Sequence, residues 1–193
     1  MAQSEKRVLI IDADLRRGYL HKYDNHDNQA GLADYLNGQQ DLDTIVKTTE
    51  ITGLSVITRG KSPTNPSELL SSAKFVALLE QLSPLYDHVI IDTPPILAVT
   101  DGIIISQYTG VNLVIARYAK TQIKELELTI NRFEQVGVKV NGIILNDIVR
   151  SAGGYGYGYG YNYSYGYKAS TEQDWFNIKK PVLTLAFFIL QNK

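Results

Sequence analysis

Two short apolar runs, each closed by an aspartate, constrain this chain more than any other feature. Val8-Leu9-Ile10-Ile11 ends at Asp12, and Val89-Ile90-Ile91 ends at Asp92. Runs this short and this rich in β-branched residues suit strands buried on both faces, the habit of parallel sheets. Ligands bind such sheets beyond the carboxyl ends of their strands. A single aspartate at a strand end is adequately explained as a turn former or a helix N-cap. Two of them on two parallel strands allow more: Asp12, Asp14 and Asp92 could be aimed at one metal ion. Hard oxygen donors suit Mg²⁺, which takes one or two carboxylates together with phosphate oxygens. Pro94 and Pro95 stop the second run and stiffen the turn that carries Asp92.

The remaining pattern alternates strands with helices. A short helix is predicted over Gly31–Leu36, stopped by Asn37-Gly38, then a helical turn over Leu42–Val46 and a strand over Leu54–Ile57. Asn65-Pro66-Ser67-Glu68 reads as a capping box with proline at the first helical position. Phe75, Leu78, Leu79 and Leu82 share one helical face and read as core. Asp101 caps a helix to about Gln107. Asn112–Ala116 is a buried strand with Arg117 at its carboxyl end. Thr121 caps a helix to about Val136, with Ile123, Leu126, Ile130 and Phe133 on one face. Gly142–Asn146 is the last strand. This order implies an α/β fold, a mostly parallel sheet with helices on both faces.

At 193 residues the chain can bury a sizeable core. Its formal charge of −1 gives no bulk attraction to nucleic acid, and none is expected as a partner. The absence of cysteine excludes disulfides and cysteine-ligated zinc. His21, His26 and His88 have no metal-ligand spacing and read as surface or loop residues. No apolar run reaches the roughly 20 residues that span a bilayer. Gly60-Lys61-Ser62 echoes the end of a phosphate loop. However, Ser55 stands where that motif needs its first glycine, and Pro63 follows.

Three segments are expected: an α/β domain over 1–150, a Gly/Tyr-rich stretch over 151–169, and an extension over 170–193. Seven of the thirteen tyrosines lie in the second: Tyr155, Tyr157, Tyr159, Tyr161, Tyr163, Tyr165 and Tyr167. The intervening glycines disfavour ordered packing. Leaving the last strand at Asn146, a flexible stretch of ten residues reaches roughly 17 Å, enough to sample the Asp12 edge. Composition changes abruptly after 169. Val182–Leu190 is mostly apolar and is expected to be a frame-shifted or read-through extension, or an interfacial anchor.

Ile10-Ile11-Asp12-Ala13-Asp14-Leu15-Arg16 resembles the second Walker motif of bacterial tyrosine kinases. Asp92-Thr93-Pro94-Pro95 resembles their Walker B motif, and Asn65–Leu70 and the tyrosine cluster are similar too. The relatives brought to mind are the cytoplasmic kinase domains of capsule and exopolysaccharide chain-length regulators. The resemblance implies ATP and Mg²⁺, with Asp14 and Asp92 at the metal and Asp12 accepting the proton of a tyrosine hydroxyl. Arg16 is implied either to stabilise phosphate charge or to pair with a neighbouring acid, and Asn146 to face the adenine. It implies that the tyrosine cluster is phosphorylated between neighbours in a ring-like homo-oligomer, controlling polysaccharide polymerisation and export. A membrane-spanning activator region or full-length kinase and a cognate tyrosine phosphatase are the implied partners, at the cytoplasmic face of the inner membrane. The family's P-loop, with its lysine and a central strand and helix, has no counterpart here, so an N-terminally truncated fragment is expected. A phosphate-accepting inactive fragment and a division- or partition-type ATPase are the alternatives.

Overall fold

Strand β1 (Val8–Asp12) lies inside the sheet because neither of its faces can be left in water: Val8, Leu9, Ile11 and Asp12 are all buried. It pairs in parallel with β3 (Leu54–Ile57) on one side and β4 (His88–Asp92) on the other. The short β2 (Lys47–Thr48) closes one edge antiparallel to β3. Strand β5 (Val111–Arg117) pairs in parallel with β6 (Gly142–Asn146), the opposite edge. Strand β7 (Leu185–Leu190) lies antiparallel between β4 and β5. The seven strands run in the order β2-β3-β1-β4-β7-β5-β6. This computed structural model describes residue 2 and residues 5–22, 27–148 and 185–190, the last through their backbone. Tyr155 to Tyr167 lie outside the described residues.

Among the described residues six helices flank the sheet: α1 (Leu32–Leu36), α2 (Leu42–Ile45), α3 (Pro66–Leu70), α4 (Ala73–Leu82), α5 (Asp101–Ser106) and α6 (Ile123–Glu134). Leu20–Lys22 and Ser83–Leu85 form single 3₁₀ turns. The mostly parallel α/β architecture is therefore as the sequence implies. Phe75, Leu78, Leu79 and Leu82 do face the core from α4. They join Leu9, Ile11, Leu32, Ile57 and Phe133 in one cluster of buried side chains.

Local details depart from the sequence reading for identifiable reasons. The Asn65 amide donates to the Glu68 carboxylate (2.8 Å) instead of capping a backbone N–H, so the expected capping box is not made. The working cap nearby is Ser72, whose hydroxyl accepts from the Phe75 N–H and starts α4. Thr121 caps the turn before α6 by accepting from the Arg117 N–H (2.9 Å). The start of α6 is instead closed by Glu125, which accepts from the Gln122 N–H. Ile123 is 75% exposed, so the apolar stripe of α6 narrows at its first turn to Leu126 and Phe133. His88 is the first residue of β4, not a loop residue. The largest departure is β7: residues expected as an extension occupy an interior position of the sheet, paired on both sides.

The start of α1 is fixed by backbone contact with the segment after β3. The Leu32 and Ala33 N–H groups donate to the carbonyls of Thr58 and Arg59 (2.8 and 2.9 Å). A Cβ on Gly31 would lie 2.3 Å from both the Gly60 nitrogen and the Thr58 carbonyl oxygen. Gly31 has extended φ (−165°), which any residue can adopt, so glycine is required here by space alone. Gly31→Ala is expected to lower stability by about 1–3 kcal/mol, the usual cost of overpacking. Urea unfolding checks this; an unchanged midpoint would contradict it.

Candidate functional site

The β1–β4 ladder places Asp12 opposite Asp92, and the Ala13 N–H donates to the Asp92 carbonyl (2.8 Å). Pairing thus continues one residue beyond the first aspartate. Neighbouring strands are about 4.8 Å apart, so the two side chains leave the same edge as near neighbours. Asp12 is fully buried, and its Oδ2 accepts from the Leu20 N–H (3.0 Å). The chain can wrap this closely because residue 18 is glycine. A Cβ there would lie 2.2 Å from Asp12 Oδ1.

Asp14, also buried, shapes the turn between them. Its Oδ1 accepts from the Arg17 N–H (2.8 Å) and the Arg16 N–H (3.2 Å), an aspartate-closed turn. The fully buried Ala13 and Leu15 anchor that turn to the core. Arg16 leaves it and reaches α5. Its Nε donates to Asp101 Oδ2 (2.9 Å) and its Nη2 to Asp101 Oδ1 (3.3 Å) and Ser67 Oγ (3.0 Å). The Ser67 hydroxyl donates to Asp101 in turn. Of the two roles open to Arg16, pairing with a neighbouring acid is the one seen. The hydrogen bond to Asp101 raises the Arg16 pKa, burial opposes this, and the charges of Asp101 and Asp14 add to the rise. Asp101 is the first residue of α5 rather than its cap, and it is fully buried.

The loop after Asp92 is held from the far side. Arg132 on α6 donates from Nη1 to the Ile96 carbonyl (2.5 Å). Thr93 and Ile96 are fully buried. A Cβ on Gly102 would lie 2.3 Å from Ile96 Cδ1, so α5 starts directly against this loop. Asn146 ends β6 opposite Arg117, and its carbonyl accepts from the Tyr118 N–H (2.8 Å). β7 and β5 stand between β4 and β6, so Asn146 lies three strand spacings from Asp92, about 14 Å. Asp147 beside it binds Arg117 Nη2 (2.6 Å) and Lys120 Nζ (3.3 Å). Those two hydrogen bonds, Arg117 first, hold its pKa below the usual carboxylate value.

Gly60-Lys61-Ser62 is not a phosphate loop. The Gly60 N–H donates to Asn28 Oδ1 (3.0 Å) and the Lys61 N–H to Asp34 Oδ2 (3.1 Å). Two of the amides a phosphate would need are thus already engaged. Gly60 has φ +78° and is pressed so closely on Asp34 that a Cβ would lie 2.1 Å from its Oδ2.

Carboxylates on adjacent strand ends suit Mg²⁺ as a partial donor set. Among the described residues no three acidic, histidine or cysteine side chains converge closely enough to cage a metal. The expected convergence of Asp12, Asp14 and Asp92 on one point is therefore not seen among these side chains. The carboxylate pair brought together most directly is Asp12 and Asp92; Asp14 is engaged through Oδ1 with the turn amides.

Two local predictions follow from these contacts. Arg16→Ala leaves the Asp101 carboxylate buried without its cation. Because Arg16 is itself 39% exposed, solvent screening brings the cost below the roughly 3–5 kcal/mol of broken buried pairs, to about 1–3 kcal/mol. Denaturant unfolding checks this; a loss below the measurement error would make Arg16 dispensable to the fold. His21 is held below its ordinary value of 6.5 by burial first, then by the charges of Arg59, Lys22 and Lys47. It is therefore neutral in the fold. Its contribution to stability is present above pH 6.5 and is lost as pH falls towards the depressed folded value. His21→Gln should flatten the fall in melting temperature between about pH 7.5 and 5; parallel curves would contradict it.

Comparison with known proteins gives consistent matches. The AAA domain family matches residues 1–142. The tyrosine-protein kinase Ptk of Acinetobacter johnsonii is 78% identical over 174 residues, covering 90% of this chain and 24% of the relative. The kinase domain of the Escherichia coli tyrosine kinase ETK superposes with TM-score 0.75 at 45% identity, covering 83% of this chain and 63% of that one. The kinase domain of VpsO superposes with TM-score 0.73 at 35% identity, covering 77% and 73%. The chain thus spans about a quarter of the length of the full-length relative it matches.

Proposed function

The chain belongs to the bacterial tyrosine-kinase family, and from that premise we propose that its Asp12–Asp92 edge serves ATP-dependent phosphoryl transfer to tyrosine. The observation that carries this reading is the register of β1 on β4, which sets two carboxylates side by side at the carboxyl edge of a parallel sheet. Mg²⁺ bound with the nucleotide would supply charge neutralisation across the β- and γ-phosphates. Asp92, with Asp14, would hold that ion. Asp12 is buried and fixed by the Leu20 N–H, so its carboxylate is oriented before any substrate arrives. It would take the tyrosine proton as the new O–P bond forms and the bond from the γ-phosphorus to ADP breaks. Arg16 would act at one remove, holding the Asp14 turn against α5 through Asp101. Asn146 would contact the adenine edge.

The acceptors in this reading are Tyr155, Tyr157, Tyr159, Tyr161, Tyr163, Tyr165 and Tyr167. Each phosphorylation would add about −1.5 to −2 charges, and a crowded anionic stretch repels itself. Such a change could loosen a ring of copies that phosphorylate one another, and so regulate capsular or exopolysaccharide polymerisation and export. The reading includes a membrane-spanning activator region, a cognate phosphatase, and a place at the cytoplasmic face of the inner membrane. No helix among the described residues is long and apolar enough to cross a membrane.

The test is incubation of the chain with Mg²⁺ and ATP, alone and with a full-length relative that carries a P-loop. Phosphotyrosine is then mapped by mass spectrometry. Phosphate on Tyr155–Tyr167 in the chain alone, falling about 100-fold or more in Asp12→Asn, the scale of a lost general base, would show that the chain itself is the kinase, with another phosphate cradle in place of the P-loop. Phosphate only in the presence of the relative would make the chain an acceptor and not the kinase. None in either mixture would contradict both roles.

A further inference from the structure

Asp12 is fully buried, yet a carboxylate that takes a tyrosine proton must meet the hydroxyl that carries it. A short segment covers it. Gly18 lies so close that a Cβ would come 2.2 Å from Asp12 Oδ1, and the Leu20 N–H holds Oδ2 at 3.0 Å. The chain then passes through Leu20–Lys22, a single 3₁₀ turn with no buried residue of its own. Two of the segment's backbone bonds are local: the Gly18 N–H donates to the Asp14 carbonyl (2.7 Å) and the Lys22 N–H to the Tyr19 carbonyl (2.9 Å). The segment is thus laid over Asp12 without deep anchorage in the core.

The middle residue of that turn is His21. Its Nδ1 is buried and has no hydrogen-bond partner among the described residues. The charged groups that bear on the ring are all cations: Arg59 from the segment after β3, Lys22 from the turn itself, and Lys47 from β2. Arg59 turns Nε and Nη1 inward, buried and without an acceptor. Lys47 is offset by Asp27 (3.4 Å), and Lys22 lies over the Tyr19 ring, 4.6 Å from its centre. Protonating the imidazole adds a positive charge to this cluster, and Nδ1 has no acceptor to offset it. The seated turn therefore requires a neutral ring. Turned out to water, the ring escapes both burial and the three cations, so a bound proton favours the turned-out state. His21 adjoins Leu20, and its departure draws the Leu20 N–H off Asp12.

We propose that Gly18–Lys22 is a strap over Asp12 and that His21 is its latch. The neutral imidazole seats the strap; the protonated one releases it and opens Asp12 to an incoming hydroxyl. The release is a property of the fold, and only the use made of an opened Asp12 rests on the kinase reading.

The test labels the carboxylates of the full chain with a water-soluble carbodiimide and glycine ethyl ester, read site by site by peptide mass spectrometry. No nucleotide is present, so the outcome does not depend on whether the chain transfers phosphate. The exposed Asp43 corrects for the pH dependence of the reagent, and the buried Asp34 reports general loosening. From about pH 7.5 to 5.5, Asp12 labelling relative to Asp43 should rise at least about fivefold, as a depressed histidine gains its proton. In His21→Gln the ratio should stay flat, and Asp34 should stay unlabelled in both chains. An Asp12 ratio that does not change, that rises equally in His21→Gln, or that rises together with Asp34 would overturn the proposal. A second measurement needs no variant. In spectra of the unmodified chain, the Leu20 amide should shift with the same midpoint as the His21 ring, below pH 6.5. A Leu20 amide that does not follow the ring would overturn it as well.

Discussion

The pairing of β1 with β4 is the interaction on which the rest of the site depends. Each strand is apolar enough to require burial, and both end in aspartate at the same level. Burial fixes the register, because a one-residue slip would send every side chain to the opposite face. The chemistry at the edge follows from that packing. Asp12 is held where water cannot reach it, at the end of a strand buried on both faces and beneath the Gly18–Leu20 segment. The turn that follows is then closed by Asp14 on its own amides, covered by Gly18, and braced by Arg16 on Asp101.

The bracing shows how a site is stiffened from outside. Asp101 ties the first turn to α5, while Ser67 joins α3 to the same pair. Arg132 reaches across from α6 to the carbonyl of Ile96. Both edges of the carboxylate pair are thus tied to helices that do not carry it. Charged hydrogen bonds of this kind are worth more than neutral ones and fix geometry through their forked shape. Asp92 is the half-buried member of the pair and the one open to a metal–phosphate ligand, whereas Asp12 is reached only once the Gly18 segment moves aside.

Much of the fold was legible because it rests on local pattern. The apolar runs at Val8, Val89 and Asn112–Ala116 announce buried strands, and the spacing of Phe75, Leu78, Leu79 and Leu82 announces a core-facing helix. The aspartates after the runs marked the candidate site. What was not legible depends on distance in sequence. Nothing near Arg16 reveals that Asp101 will be its partner, and nothing near Arg132 points to Ile96. The two residues of β2 are too few to carry a period. Asn65 and Thr121 stand where caps belong, but side-chain geometry sends each to another partner. Leu185–Leu190 was misplaced for a related reason. An apolar strand isolated behind a glycine-rich stretch has no local signal of which gap it will fill.

The central claim is that the Asp12–Asp92 edge is a metal–nucleotide site. It is tested most directly by amide ¹⁵N–¹H spectra of the full chain titrated with ADP, with and without Mg²⁺. The account predicts Mg²⁺-dependent shifts concentrated at residues 12–18 and 92–96, absent in Asp92→Asn. Shifts centred on residues 60–62 instead, or shifts at the Asp12 edge that persist without Mg²⁺, would contradict it.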